Sequence, residues 1–438
     1  MQKQSTHSRR EFLRRGAVAG AAGFALPYLI PSGVLAADGQ PGANDRIGIA
    51  GIGIGRQGTG VLQAALGNKE SRFIGIADVL LPRAETLCKR LGGTPYQDYR
   101  KLLDNKDVDA IVTATPDHWR ALVAIHACQA GKDIYAEKAL SLTIREGRLM
   151  VEAARKYGRV FQVGSQQRSQ AVNRLSCEYL RAGKLGKIKE VVGCNYPSPW
   201  ECALPAEPVP EGLDWDMWCG PAPLVPYNKD LFTPRANPGW LSFRPYSGGE
   251  MTGWGAHGID QIQCALGMDD SGPVEVWTEG DKFNPPTYSA PESRDRGDKI
   301  CSVPMIFYRY ANGIVVKLDN GSGGGGIFVG ENGKLDLSRG LVRTNPPEIA
   351  EEINKQAKGG DKSHVGNWIE CIKTRAKPIA DVEIGHRSIT VCHLGNIARW
   401  TGRKLRWDPV KETFPDDPDA NQYLDRPRRK PYELPETI

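Results

Sequence analysis

Glu137 and Lys138 stand side by side at the end of a short apolar strand, Ile134 to Ala136. A lysine so placed can bind a substrate oxygen, stabilise a developing alkoxide, or act as a base once burial or a nearby cation lowers its pKa. Alone it would read as one more solvated surface lysine. A stretch about 80 residues upstream changes that reading. Arg46 to Ile52 has the pattern of a buried strand, and Gly53-Ile54-Gly55-Arg56-Gln57-Gly58 then fits G-x-G-x-x-G and opens a helix through Val61 to Leu66. A second strand, Phe73 to Ala77, ends at Asp78, 20 residues after Gly58. This is the spacing of a dinucleotide site. Gly53, Gly55 and Gly58 let the backbone approach a pyrophosphate. Arg56 and Gln57 belong to the same helix start, whose unpaired N–H groups and dipole favour anions. Asp78 can accept hydrogen bonds from ribose hydroxyls and would repel a 2′-phosphate, which points to NAD rather than NADP. One ambiguity is register: Gly51 and Gly53 could be the first two glycines, with Arg56 third.

Those residues need a scaffold that brings strand ends together. Helical patterns at Ala84 to Leu91, His118 to Ala130 and Ile144 to Tyr157 alternate with strands at Ala110 to Ala114, Ile134 to Ala136 and Val160 to Val163. Asp117 reads as the cap of the second of these helices. Repeated βα units predict a parallel Rossmann sheet with ligand at the carboxyl ends of the strands. Thr115, Pro116, Glu137 and Lys138 all fall at such ends, so they join the expected cofactor contacts.

The remaining chain has a different texture. Helices are expected at Ala171 to Ala182, Val365 to Thr374 and Ile389 to Thr401. Strands are expected from Lys187 to Cys194, Val274 to Glu279, Lys299 to Tyr310, Ile314 to Leu318, Gly326 to Val329 and Lys334 to Leu337. Turns such as Asn312-Gly313 and Asn332-Gly333 join them, giving an open, mostly antiparallel sheet. Gly321 to Gly326 reads as a flexible loop without a phosphate-loop lysine. The α/β chain therefore divides into 44–164, a Rossmann domain, 165–407, a second α/β domain, and 408–438, a proline- and charge-rich surface tail.

Residues 1–36 hold five Lys/Arg and one acid, which accounts for four of the +6 net charge. The rest of the chain has no basic field that would argue for nucleic acid. Ser8-Arg9-Arg10-Glu11-Phe12-Leu13 ahead of a Gly/Ala-rich apolar run and Val34-Leu35-Ala36 resembles a twin-arginine export signal, which implies a periplasmic or extracytoplasmic address. The run is too short and glycine-rich for a stable membrane span. Ten scattered cysteines show no zinc spacing, and no metal site is expected. Cys194, Cys202 and Cys219 leave a disulfide open.

GIGIGRQG, IADV, TATPDHW, AGKDIYAEKAL, QVGSQQRS, WDMWCGPAP, YSGGEMTGWGAHGID and IGHRSITVCHLGNIARWTGRKLRWDP together resemble the glucose-fructose oxidoreductase / inositol dehydrogenase / rhizopine-catabolism (Gfo/Idh/MocA) family. The resemblance implies a sugar or polyol substrate, a nicotinamide cofactor often retained through turnover, and homo-oligomers built through the C-terminal sheet. It puts the family's reactive lysine on Lys138 and the histidine of its second motif, roughly GGxxxDxGxHxxD, on His257. Oxidising a carbinol needs a base within reach of the hydroxyl proton, and histidine suits that by intrinsic pKa. Asp260 could reach His257 from one helical turn away, or merely cap it. Arg168, Trp254, Lys138 and His257 are the expected substrate contacts. Among Trp200, Trp215, Trp218, Trp240 and Trp254, at most one or two are expected to touch sugar, most of them filling core.

Three positions depart from the family pattern: Gly253 replaces its aspartate, Ala139 the proline after the lysine, and Arg120 a histidine. A cis bond before a non-proline residue costs about 3 kcal/mol, so Lys138–Ala139 is expected trans. The expected activity is NAD-dependent oxidation or reduction of a ring carbon of a sugar, glycoside or polyol. Two other readings stay open: a redox-neutral, NAD-dependent glycoside hydrolase or lyase, and a non-catalytic protein that holds cofactor and sugar.

Overall fold

The apolar run Ile47–Ile52 forms β1 with all six residues buried, as a strand covered on both faces must be. The computed structural model describes residues 46–233, 239–290 and 301–438, so the export signal expected at 1–36 lies outside the described residues. β2 (Ser71–Ala77), β3 (Thr94–Tyr96), β4 (Ala110–Thr113), β5 (Asp133–Ala136) and β6 (Phe161–Val163) complete a six-stranded parallel sheet of order β3-β2-β1-β4-β5-β6. That is the Rossmann order, with a crevice where the order reverses between β1 and β4. β3 escaped the sequence reading because it is three residues long, contains Pro95 and lies at the sheet edge.

β7 (Ile188–Cys194), β9 (Glu275–Glu279) and β11–β15 (Met305–Arg309, Val315–Asp319, Gly326–Gly330, Gly333–Leu337 and Val342–Asn345) build a second, eight-stranded sheet with β16 (Leu405–Arg406). The remaining strands, β8 (Glu201–Cys202) and β10 (Thr287–Tyr288), form a separate parallel pair. In the large sheet only β7–β12 is a parallel pair. Period-two burial sends Ile306, Tyr308, Val316, Leu318 and Phe328 inward. Helices Gly255–Leu266 and Val382–Thr401 cover that face, and helix Ala171–Arg181 packs on the first of them.

The last helix begins seven residues earlier than its apolar pattern suggests. Its polar first turns, including His386, are buried against helix Ile144–Lys156, which no local pattern reveals. The tail runs back over the Rossmann half: Arg426 and Arg428 pair with Glu146, and Tyr432 sets its ring edge-on to Trp119. All ten cysteines are free thiols, so Cys194, Cys202 and Cys219 form no disulfide. Among the described residues, no helix is long and apolar enough to cross a membrane.

Candidate active site

The glycine register is decided by space. Gly51 is a strand residue, paired with Ile76 and Val112, so it cannot open the turn. Gly53 has φ +66°, and a Cβ there would lie 2.5 Å from Thr115 Cγ2. A Cβ on Gly58 would sit 3.0 Å from that of Ala114, so this glycine lets the helix press on the sheet. Gly55 is different: nothing lies within 4 Å of its missing Cβ. The helix that follows, Arg56–Leu66, has no side-chain cap, so its first N–H groups remain available to an anion. Tight first and third glycines around an open second one fit a pyrophosphate.

Asp78, at the end of β2, is buried and accepts from Leu80 N at 2.9 Å and Arg83 Nη1 at 3.2 Å. Burial raises its pKa, while the Arg83 guanidinium opposes the shift. Both residues face the same cavity as the glycine turn. Replacing Asp78 with Ala should weaken NAD binding about tenfold by removing a charged acceptor for ribose hydroxyls. It should also tighten NADP binding, because Arg83 would be released beside the same spot. Titration of both cofactors reads the ratio, and an unchanged ratio would remove Asp78 from the cofactor site.

Thr115 and Pro116 leave β4 beside that turn, and Glu137 and Lys138 leave β5. The buried Glu137 carboxylate accepts from Gln57 Nε2 and Gln166 Nε2, both at 3.0 Å, and from Lys138 N at 3.2 Å. Gly164 makes room for it, since a Cβ there would lie 2.9 Å from the carboxylate. Glu137 therefore joins the end of its strand to the start of helix Arg56–Leu66 and to the turn at Gln166 in one network. Gln166 was missed because its partner is 29 residues away.

Lys138 is half-buried, and its Nζ donates to the Gly253 carbonyl at 3.2 Å. Contrary to the trans expectation, the Lys138–Ala139 peptide is cis. The Ala139 carbonyl accepts from Arg120 Nη1, a long-range contact that local preference does not include. Arg120 also donates to the Thr115 carbonyl and pairs with Asp117 at 2.9 Å, tying the two strand ends together. Asp117 is accordingly not the helix cap: Pro116 holds that position, and the Asp117 carboxylate is taken by Arg120 and Ser247.

His257 sits buried in the first turn of helix Gly255–Leu266, its ring 5.9 Å from that of Trp254. His257, Trp254 and Lys138 line one cavity of about 1070 Å³ with the glycine turn and Asp78. Arg168 does not line it. This expected substrate contact is instead buried, donating to Asp260 at 2.9 Å and Asp269 at 2.8 Å. Asp260 is likewise committed, to Arg168, Gln261 and Ser388. A side chain at position 253 would have its Cβ 2.6 Å from Glu250 Oε2, so the Glu250 carboxylate occupies the space of the absent aspartate.

Trp218, Trp240 and Trp254 line the cavity, the first two from an aromatic core that also holds Trp200 and Trp215, with Trp215 stacked on Trp218 at 4.4 Å. His118 and His364, outside the site, are structural. Burial pushes His118 down to about 3, and its Nε2–H donates to the Trp218 carbonyl. His364 is pushed down to about 4 in the same way, donating to the Val163 carbonyl.

Comparison with known proteins agrees with this architecture. Residues 46–165 match a family model described as an oxidoreductase family, NAD-binding Rossmann fold, and residues 184–434 match the C-terminal alpha/beta domain of the same family. Levoglucosan dehydrogenase of Pseudarthrobacter phenanthrenivorans is 33% identical over 103 residues, which is 24% of this chain and 26% of that protein. The scyllo-inositol 2-dehydrogenase (NAD(+)) of Bacillus subtilis is 28% identical over 118 residues, covering 27% and 34% respectively. The aligned regions thus span about a quarter to a third of these relatives. The WlbA dehydrogenase of Chromobacterium violaceum, solved with NADH and UDP-GlcNAcA, superposes with a TM-score of 0.60 at 18% identity over 84% of this chain and 98% of its own. With both of its halves matched and the glycine turn, Asp78 and Lys138 gathered on one cavity, the chain belongs to the Gfo/Idh/MocA oxidoreductase family.

Proposed function

We propose that this protein is an NAD-dependent oxidoreductase acting on a ring carbinol or ketone of a sugar, glycoside or polyol. The observation that carries the reading is the convergence of Lys138 and His257 on the cavity that holds the glycine turn. When bound, the nicotinamide supplies hydride acceptance and return. Lys138 binds the reacting oxygen, oriented by the Gly253 carbonyl, and His257 exchanges the hydroxyl proton. The exposed Trp254 face offers a platform for a pyranose ring. The dehydrogenase names of the matched relatives support a carbohydrate substrate. Purified protein with NAD and a panel of glycosides and keto-sugars should change its absorbance at 340 nm; no change and no single-turnover product would overturn the reading. Aglycone release without net NADH would instead assign a redox-neutral reaction.

The protein acts outside the cytoplasm in this reading, addressed by Arg9 and Arg10, and retains its cofactor because free NAD is scarce there. Paired lysine substitutions at Arg9 and Arg10 should keep it in the cytoplasmic fraction. Unchanged fractionation would refute that route.

A second copy of the chain covers the outer face of the large sheet. The sheet directs Val192, Met305, Phe307, Ile327 and Val329 outward, and Trp277 stacks on Phe307 at 5.3 Å. Glu190, Lys317 and Asp336 share this face, so the apolar side chains form a patch among charges that a partner copy would bury. Phe307→Glu should lower the mass measured by sedimentation to that of a smaller assembly, and a monomeric unsubstituted protein would refute the arrangement.

A further inference from the structure

The arginines of the cavity wall differ in what answers their charge. Arg83 is paired with Asp78 and Arg120 with Asp117. Arg56 stands at the helix start where a pyrophosphate supplies anionic oxygens. Arg339 remains. It is exposed, follows β14, and has no carboxylate within ion-pair distance among the described residues. Yet its place is built. Its stem packs at Gly324, where a Cβ would lie 2.8 Å from Arg339 Cγ, and its guanidinium lies 5.1 Å over the Trp254 ring. Stacking on an indole holds the guanidinium plane while leaving its N–H edge free for a bidentate acceptor.

Arg339, Trp254 and His257 form a continuous row along the wall that also carries Lys138. The acids of that wall are already engaged: Glu137 by two glutamine amides and the Lys138 N–H, Asp117 by Arg120 and Ser247. The Glu250 carboxylate fills the space beside Gly253 and does not line the cavity. The substrate end therefore presents Lys138 and Arg339 as cations without a wall carboxylate left to balance Arg339.

We propose that the substrate is an acidic carbohydrate whose anionic substituent is gripped by the Arg339 guanidinium, stacked on Trp254, while the reacting carbon lies at Lys138 and His257. The inference rests on the oxidoreductase reading for what happens at that carbon, whereas the grip itself is a matter of binding.

The test uses the full-length holoprotein and three probes: methyl glucuronide, methyl glucoside 6-sulfate and methyl glucoside. Calorimetry reads binding and absorbance at 340 nm reads turnover. At least one anionic probe should bind about 10- to 100-fold tighter than the neutral glucoside, as charge-assisted hydrogen bonds imply. Arg339→Gln should erase that difference, mainly in KM, and Arg339→Lys should restore part of it. The carboxylate and sulfate arms identify which acid is read. Equal affinity for all three probes, no binding of any, or a preference that survives Arg339→Gln would each overturn the proposal. Turnover of neutral glycosides without an anionic preference would leave the oxidoreductase reading standing and remove only this one. Arg339-dependent binding without turnover of any probe would do the reverse.

Discussion

Lys138→Ala should lower kcat by about 100- to 10,000-fold while the protein keeps its NAD. The lysine sits where the parallel sheet delivers it, half-buried, with Nζ aimed across the cavity at the Gly253 carbonyl. In the proposed reading the cofactor is held mainly by other groups, the open backbone at Gly55, Asp78 and the Glu137 network, none of which needs the Lys138 side chain. The loss should therefore fall on the chemical step and not on cofactor content. Lys138→Arg should not rescue it, because a planar guanidinium cannot replace a compact ammonium that binds one oxygen. Cofactor retention can be read by absorbance of the supernatant after denaturation, alongside steady-state rates. A kcat within a few-fold of the unsubstituted enzyme would remove Lys138 from the reaction and leave it a cavity-wall residue.

Arg168→Met should unfold more easily by about 3–5 kcal/mol, the cost of stripping one partner from a buried ion pair. Arg168 lies in the turn Gln166–Ser169, and Asp260 in the helix that carries His257. The pair joins the turn that holds Glu137 through Gln166 to the helix that presents the histidine. With Arg168 gone, Asp260 keeps only Gln261 and Ser388 as neutral partners in a buried position. The double variant Arg168→Met/Asp260→Leu should regain part of the loss, since removing both charges leaves neither uncompensated. Urea unfolding of the two single variants and the double variant completes the cycle. A loss below about 1 kcal/mol in Arg168→Met would mean that the ion pair is dispensable.

The two predictions concern residues of the same type of prior standing, and the structure separates them. Lys138 was legible because its evidence is local and periodic: a short apolar strand, a glycine turn at dinucleotide spacing, and the acid Asp78. The βα alternation, the Gly53 turn and the hairpins at Asn312-Gly313 and Asn332-Gly333 share that origin. Arg168 looked equally chemical in sequence, but its role depends on carboxylates 92 and 101 residues away.

Backbone periodicity and turn chemistry, written in neighbouring residues, determined the parallel character of the first sheet, the mostly antiparallel second one, and the strand end that carries Glu137 and Lys138. Only the tertiary structure decided what each charge is spent on: Arg168 on Asp260, Arg120 on Asp117 and the Ala139 carbonyl, and the Glu250 carboxylate in the space left by Gly253. It likewise brought Trp218, Trp240 and Trp254 to the cavity and left Trp200 and Trp215 away from it. The reason is physical. A strand's period is set by its own side chains, whereas a charge or an indole takes its meaning from whichever distant group folding places within a few ångströms.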